Sequence, residues 1–172
     1  MAAKSKTDSF ANLAAVCPTE AAAGTAAYLK FAFPFSIMDK MGLVINRIEY
    51  WPGSLNNLNS STDSIVFGVS ISSSITDLND QANPAIVDSG RIQRLDIGTA
   101  ASGLLVEEPL IKDFSSLPSG GILVAPNPLY GFVQSVGASG PMLSWIKLFY
   151  TYLELSADEY WQLVESRRII ST

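Results

Sequence analysis

The sequence predicts an all-β fold, an antiparallel sandwich or barrel of about eight strands that ends in one short helix. Three observations predict it. Apolar and polar residues alternate with a period of two in several runs from Tyr28 onward. Gly, Pro, Asn and Asp clusters separate these runs at short intervals, as turns do in β proteins. No βαβ alternation occurs, and the first well-marked helix begins only near residue 156.

The composition fits one compact domain that buries much of its surface. The chain has 172 residues, of which 48% are hydrophobic and 16% charged, with a formal net charge of −5. Soluble domains usually carry about 25% charged residues. A chain this poor in charge is expected to bury apolar surface in its own core or against neighbouring molecules.

Histidine is absent, and Cys17 is the only cysteine. These counts exclude Ser/His/Asp and Cys/His catalysis, every metal site that contains histidine, and an internal disulfide. Catalysis by paired carboxylates or by a Ser/Lys dyad stays open. The sequence therefore assigns no catalytic, cofactor-binding or metal-binding residue, and we expect no cofactor.

The first 25 residues are rich in alanine and lack sustained periodicity, which predicts an extended or partly helical arm. Lys4 and Lys6 balance Asp8 and Glu20, so the side chains of this arm sum to zero charge. An arm that neutralises nucleic acid would need blocks of Lys and Arg, so we expect no direct sequence-specific nucleic-acid binding. The sequence shows no recognisable secretory signal and no apolar run of about 18 residues, which a membrane-spanning helix requires.

The strands of the first half follow from alternation. Residues 28–35 alternate around Leu and Phe side chains, and Val44, Ile48 and Tyr50 are expected to share one face of the next strand. The clearest pattern covers residues 64–72, with Ile, Phe and Val on one face and mainly Ser and Gly on the other. This pattern predicts an antiparallel strand that is buried on one face only.

In the second half, we expect short strands at residues 85–87 and 92–97 with a turn at Asp88-Ser89-Gly90 between them. Further strands are predicted at residues 104–111, 122–124 and 130–136. The last strand runs from Trp145 to Leu155. Because it is apolar on both faces, it is predicted to be central, with the core on one side and a helix or a neighbouring subunit on the other.

The C-terminal segment predicts an amphipathic helix with a capping box, because Ser156 is a good N-cap and Glu159 follows three residues later. Such a helix has little to do inside a sheet core, which favours docking. It packs either on its own barrel or on a neighbouring molecule. The residues predicted to make contacts between molecules are Tyr160, Trp161, Leu163, Arg167 and Arg168.

One loop places several oxygen ligands close together. The segment from Asp77 to Asp80 offers carboxylates and amides that suit calcium, but it lacks the glycine and the terminal glutamate of an EF-hand. A turn stabilised by Asp and Asn side chains is the simpler interpretation. Whether this loop binds an ion stays open.

Taken together, residues 28 to 155 resemble the single jelly-roll capsid proteins of tailless icosahedral viruses. Residues 122–132, followed by 145–152, look like the last strands of such a barrel. The resemblance implies an antiparallel jelly-roll sandwich with core residues Phe31, Phe33, Phe67 and Phe149. It divides the chain into an arm (1–25), a β-domain (26–155) and a helix with a tail (156–172).

The same resemblance implies a viral structural protein located in the virion. Copies of the chain would self-assemble into an icosahedral shell through the arm, the loops and the C-terminal helix. The implied partners are the chain itself and other capsid proteins. The acidic balance would fit a shell whose inner surface meets a membrane or another protein.

Two functions from other classes stay open. A β-sandwich carbohydrate-binding module would use the exposed rings of Trp51, Tyr130, Trp145 or Tyr150. An enzyme without histidine would need a pocket with converging carboxylates. Burial of the rings would exclude the first, and such a pocket would favour the second.

Overall fold

The computed structural model describes residues 12–34, 40–80, 82–94, 109–117, 120–125 and 128–168, with side chains to residue 165. These residues form two antiparallel sheets and one short C-terminal helix, which confirms the predicted all-β sandwich. The strands are β1 (Asn12–Val16), β2 (Ala27–Lys30), β3 (Met41–Gly53), β4 (Ser64–Ser70), β5 (Ile86–Gln93), β6 (Leu110–Asp113), β7 (Ile122–Val124), β8 (Tyr130–Val136) and β9 (Leu143–Glu154), followed by helix α1 (Ala157–Arg168).

The strand order is that of a jelly roll. Sheet A has the order β1-β9-β3-β6, with the short β7 also paired to β3, and sheet B has the order β2-β8-β4-β5. The pairs β1–β9, β2–β8, β3–β6 and β4–β5 are nested from the ends of the chain to its middle. Nested antiparallel pairing is what results when one long hairpin rolls up into two sheets.

Strand β1 lies within the segment predicted as an arm. It pairs with β9 along five residues and forms one edge of sheet A. Ala14 and Val16 point into the core, and their burial explains why an alanine-rich segment joins the sheet. The sheet thus begins inside residues 1–25, while residues 1–11 of the predicted arm lie outside the described residues.

The core lies between the two sheets. Phe31 and Phe67 are fully buried in it, as predicted, and Phe33 packs partly buried against it. The assignment of Phe149 to the core is wrong. Phe149 lies in register with Leu13 and Arg47 on the outer face of sheet A, where its side chain is half-buried.

A β-bulge at Asn46 changes the faces of β3. The register with β9 shifts between Ile45 and Arg47, so the inward side chains are Leu43 and Ile45 before the bulge and Ile48 after it. Val44 therefore does not share a face with Ile48, contrary to the alternation expected from the sequence. One extra residue in a strand reverses the side-chain alternation beyond it.

Strand β4 is buried on both faces, which corrects the prediction that one face is exposed. Ile65 and Phe67 point into the main core, as predicted. On the other face, Val66 packs with Leu78 and Phe132. The loop between β4 and β5 therefore covers this face of sheet B, which the local alternation does not reveal.

Strand β5 is continuous through Asp88, Ser89 and Gly90, so the predicted turn at these residues is wrong. A Cβ atom on Gly90 would lie 2.6 Å from Leu110 Cδ2 and 2.6 Å from Phe67 Cε2. Glycine is thus favoured here by close packing, because a Cβ atom would force Phe67 or Leu110 to shift.

Candidate functional site

The outer face of sheet A carries apolar, aromatic and charged side chains on four adjacent strands. We call this surface the aromatic face. The strand registers align its residues in rows across the sheet. It consists of Leu13 and Ala15 on β1, Trp145, Lys147 and Phe149 on β9, Arg47, Glu49 and Trp51 on β3, and Ile111 and Asp113 on β6.

Large apolar side chains on this face are open to solvent. The exposed fractions are 58% for Leu13, 42% for Trp51, 48% for Ile111 and 53% for Trp145. These are four of the eight large hydrophobic side chains that are exposed among the described residues. Their concentration on one sheet face makes this surface the strongest candidate for binding another molecule, since contiguous exposed apolar patches mark interaction sites.

Two tryptophans lie side by side at one end of the face. Trp51 pairs directly with Trp145 across β3 and β9. Lys147, the next outward residue on β9, places its ammonium 5.1 Å from the centre of the Trp51 ring. This cation–π contact holds the lysine stem flat against the sheet, so a positive charge and two indole rings form one continuous surface.

Arginine and glutamate form the middle of the face. The Arg47 guanidinium donates a short hydrogen bond to Glu49 and lies 5.3 Å from the centre of the Phe149 ring. Trp51 Nε1 donates to the second Glu49 oxygen at 3.4 Å. Glu49 is only 7% exposed. Its charge is therefore neutralised within the chain, which limits the cost of covering the face.

Asp113 adds a carboxylate at the β6 edge, beside Arg47. Hydrogen bonds from Ser115 lower its pKa, and the nearby Arg47 charge lowers it further. Asp113 is therefore ionised at neutral pH. The face therefore carries two positive charges, Arg47 and Lys147, and two negative charges, Glu49 and Asp113, so its formal charges sum to zero.

The predicted contact residues of the helix have different surroundings. Tyr160 is 2% exposed, so its ring is covered by its own chain, and burial raises the pKa of its hydroxyl. Trp161 is 58% exposed, and its ring lies 5.9 Å from that of Tyr160. Leu163 is half-buried, and the side chains of Arg167 and Arg168 lie outside the described ones. The contact role of these five residues remains a prediction.

The capping box at the start of α1 has the predicted geometry. Ser156 Oγ accepts a hydrogen bond from the Glu159 backbone N–H at 3.3 Å, and the Ser156 N–H donates to Glu159 Oε2 at 2.9 Å. The hydrogen bonds from Ser156 lower the pKa of the Glu159 carboxyl. This reciprocal pair fixes where the helix begins after β9.

The aromatic residues proposed as a carbohydrate platform do not lie together. Trp51 and Trp145 are exposed and adjacent on the aromatic face, whereas Tyr150 is 3% exposed and points into the core. Tyr130 is half-buried on β8 of the other sheet. A sugar-binding platform on this chain would therefore rest on the two tryptophans.

The loop from Asp77 to Asp80 forms turns stabilised by its own side chains. Asp77 Oδ1 accepts the Asn79 N–H at 2.8 Å, and Asp80 Oδ1 accepts the Ala82 N–H at 3.0 Å. Across the described parts of the chain, no three acidic or cysteine side chains are grouped so that they could hold a metal ion. Within those same parts, no helix is both long enough and apolar enough to cross a membrane.

Sequence reasoning found Trp51 and Trp145 as candidate platform residues but missed the rest of the aromatic face. Leu13 lies on β1, which the sequence did not predict, and Ile111 lies on β6 at the far side of the sheet. No local signal joins these segments. Only the nested strand order brings residues 13, 49, 111 and 147 onto one surface.

Comparisons with known proteins find likeness in structure but none in sequence. No family model matches the sequence. No curated protein matches it either. Among solved structures, the chain is similar to that of tomato aspermy virus, determined by X-ray crystallography, with a TM-score of 0.46 and 10% sequence identity over 86% of this chain and 79% of that chain.

Proposed function

We propose that this chain is a structural subunit of a viral capsid and that copies of it assemble into a closed shell. The observation that carries the proposal is the aromatic face, a wide exposed surface on a jelly roll. Jelly rolls serve chiefly in viral capsids, lectins and cupins. Cupins usually bind a metal through histidine, which this sequence lacks, so we compare shell assembly with sugar binding.

The chemistry of the face supports a protein partner. Trp and Arg are among the residue types that contribute most to binding energy at protein interfaces, and this face carries both, with Arg47 in its middle and two tryptophans at one end. Its charges are balanced, so a neighbouring subunit can cover it without burying an unpaired ion. The proposed role is structural, with no catalytic step, and its setting is the virion.

The C-terminal helix offers a second contact of the proposed shell. Trp161 projects into solvent while the neighbouring Tyr160 anchors the helix within its own chain. An exposed indole on an anchored helix can insert into a pocket of an adjacent subunit at low entropic cost, since the helix is already ordered. The predicted arm would add further contacts between neighbouring subunits.

Light scattering on the purified chain tests this proposal. The wild type is expected to form large uniform particles, and Trp145→Ala and Trp161→Ala are each expected to reduce particle mass. Leu29→Ala is the matched control, because Leu29 is an exposed apolar residue on β2 of the other sheet. A wild type that stays monomeric at high concentration would refute the proposal.

A carbohydrate-binding module is the second candidate, favoured by one observation. Trp51 and Trp145 form a flat exposed pair on a sheet face, an arrangement suited to stacking on sugar rings. In that case the chain would stay monomeric, bind oligosaccharides on a glycan array and lose this binding with Trp145→Ala. The absence of any glycan signal would exclude it.

A further inference from the structure

We propose that two copies of the chain join through their aromatic faces about a twofold axis that runs along the strands, between β9 and β3. This inference rests on the proposed function, in which the chain associates with itself. It adds the surface that makes the contact and the orientation of the two subunits.

Each outward residue of β9 lies beside a chemical complement on β3. The cross-strand pairs are Trp145 with Trp51, Lys147 with Glu49, and Phe149 with Arg47. The first is a pair of aromatic rings, the second a pair of opposite charges, and the third a cation over a ring. Complementary groups are therefore arranged on either side of the line that separates the two strands.

A twofold axis parallel to that line, midway between the two faces, places β9 of one subunit over β3 of the other. Each residue stays in its row. Lys147 of one copy then faces Glu49 of the other, and the reverse contact forms at the same time. In the same way, Trp145 faces Trp51. The edge strands are placed in the same way, with β1 of one subunit over β6 of the other. Ala15 therefore faces Ile111, and both residues are exposed in the single chain.

The alternative twofold axis runs across the strands and gives a worse match. It places the middle row of one face over the same row of the other, strand for strand, so that Lys147 faces Lys147 and Glu49 faces Glu49. Juxtaposed like charges cost several kcal/mol at an interface. The axis along the strands avoids this repulsion and replaces it with reciprocal opposite charges.

The packing geometry is compatible with a sheet-on-sheet contact. Two aligned sheets prefer an angle of about −30°, which an axis tilted by about 15° from the strands produces. Glu49 keeps its bond to Arg47 when the face is covered, so no charge is left unpaired in the contact. Leu13 meets Asp113 only at the rim, since both lie on edge strands.

Chemical cross-linking tests the orientation. In a Cys17→Ser background, Ala15→Cys is placed in one preparation of the chain and Ile111→Cys in another, and the two are mixed. The proposed axis puts positions 15 and 111 of opposing subunits about 10 Å apart, because facing sheets have that spacing. The two copies of position 15 in the same dimer lie on opposite edges of the contact. They are roughly 17 Å apart, because three strand spacings across the sheet add to the spacing between the sheets.

A bismaleimide that spans about 10 Å but not 17 Å should link the mixture and leave each single variant unlinked. Leu29→Cys mixed with Ala15→Cys is the control, because Leu29 lies on the other sheet, and it should not be linked. Linking of Ala15→Cys alone would overturn the proposed axis in favour of the one across the strands. If particles form but the mixture gives no cross-linked product, the aromatic-face contact is wrong and the capsid proposal is unaffected. If the chain stays monomeric, both proposals are wrong.

Discussion

Replacing Glu20 with alanine should destabilise the domain strongly, because this carboxylate fastens the N-terminal segment to both sheets. Glu20 is 3% exposed. It accepts hydrogen bonds from the backbone N–H of Ser135 at 2.6 Å and of Met142 at 2.9 Å. The Ser135 hydroxyl also lies 2.8 Å from Glu20 Oε2. Ser135 belongs to β8 in sheet B, and Met142 lies just before β9 in sheet A.

The magnitude follows from the groups left without a partner. Glu20→Ala leaves two buried backbone N–H groups unpaired, at about 1 to 3 kcal/mol each. We therefore expect a loss of about 2 to 6 kcal/mol in the free energy of unfolding. Glu20→Gln keeps one acceptor oxygen but turns an amide donor toward another donor, so about half of that loss is expected.

Urea unfolding followed by tryptophan fluorescence measures these losses at matched protein concentrations. Glu154→Ala is the control, because Glu154 is an exposed carboxylate at the end of β9. The expected order of stability is wild type and Glu154→Ala highest, then Glu20→Gln, then Glu20→Ala. Unfolding of Glu20→Ala at the same urea concentration as the control would show that Glu20 does not fasten the N-terminal segment.

Three further predictions concern the core and the helix. Tyr50→Phe should lose about 1 to 2 kcal/mol of unfolding free energy at neutral pH, because Tyr50 donates a buried 2.7 Å hydrogen bond to Asp88. Burial, and then Asp88, raise the pKa of Tyr50 well above its usual value. The stabilisation by its hydroxyl is therefore complete below about pH 10 and fades above it. Urea titrations should show that the difference in unfolding free energy between wild type and Tyr50→Phe shrinks above that pH, and a constant difference would contradict this. Gly90→Ala should cost about 1 to 3 kcal/mol by the same assay, because its Cβ would overlap Phe67, and an unchanged midpoint would contradict this packing. Ser156→Ala should lower the helical circular dichroism signal, because it removes the N-cap. In the wild type the same signal should fall when acid protonates the Glu159 carboxylate that completes the cap. A signal that responds to neither change would contradict the role of the capping box.

Features that depend on neighbours in the chain were predictable from the sequence. The capping box at Ser156 needs only residues within one helical turn, and the structure has it where the sequence predicts it. The alternation along β9 likewise assigns Trp145 and Tyr150 to opposite faces, as observed. In both cases the local pattern and the tertiary structure favour the same conformation.

Features that depend on contacts between distant segments could not be predicted from the sequence. Gly90 suggests a turn when read locally, yet it lies within a strand because Phe67 and Leu110 fill the space beside it. The bulge at Asn46 reverses the alternation of β3, and no residue type there indicates it. Strand β1 becomes a strand only because β9 offers an unpaired edge, so its alanines carry little signal of their own.

The aromatic face shows the same division. The exposed pair of tryptophans could be suspected from residue types, but its continuation to Leu13 and Ile111 depends on the strand order β1-β9-β3-β6. The charge balance of the face likewise depends on register, since Glu49 lies beside Lys147 on two strands that are distant in sequence. A surface of this kind is visible only after the sheet is assembled.

Electron cryo-microscopy of the purified full-length chain tests the central claim most directly. We expect closed shells of uniform diameter in which the aromatic face is buried between neighbouring copies, with Trp145 of one subunit against Trp51 of another. Monomers alone, or shells in which both tryptophans face open solvent, would contradict it.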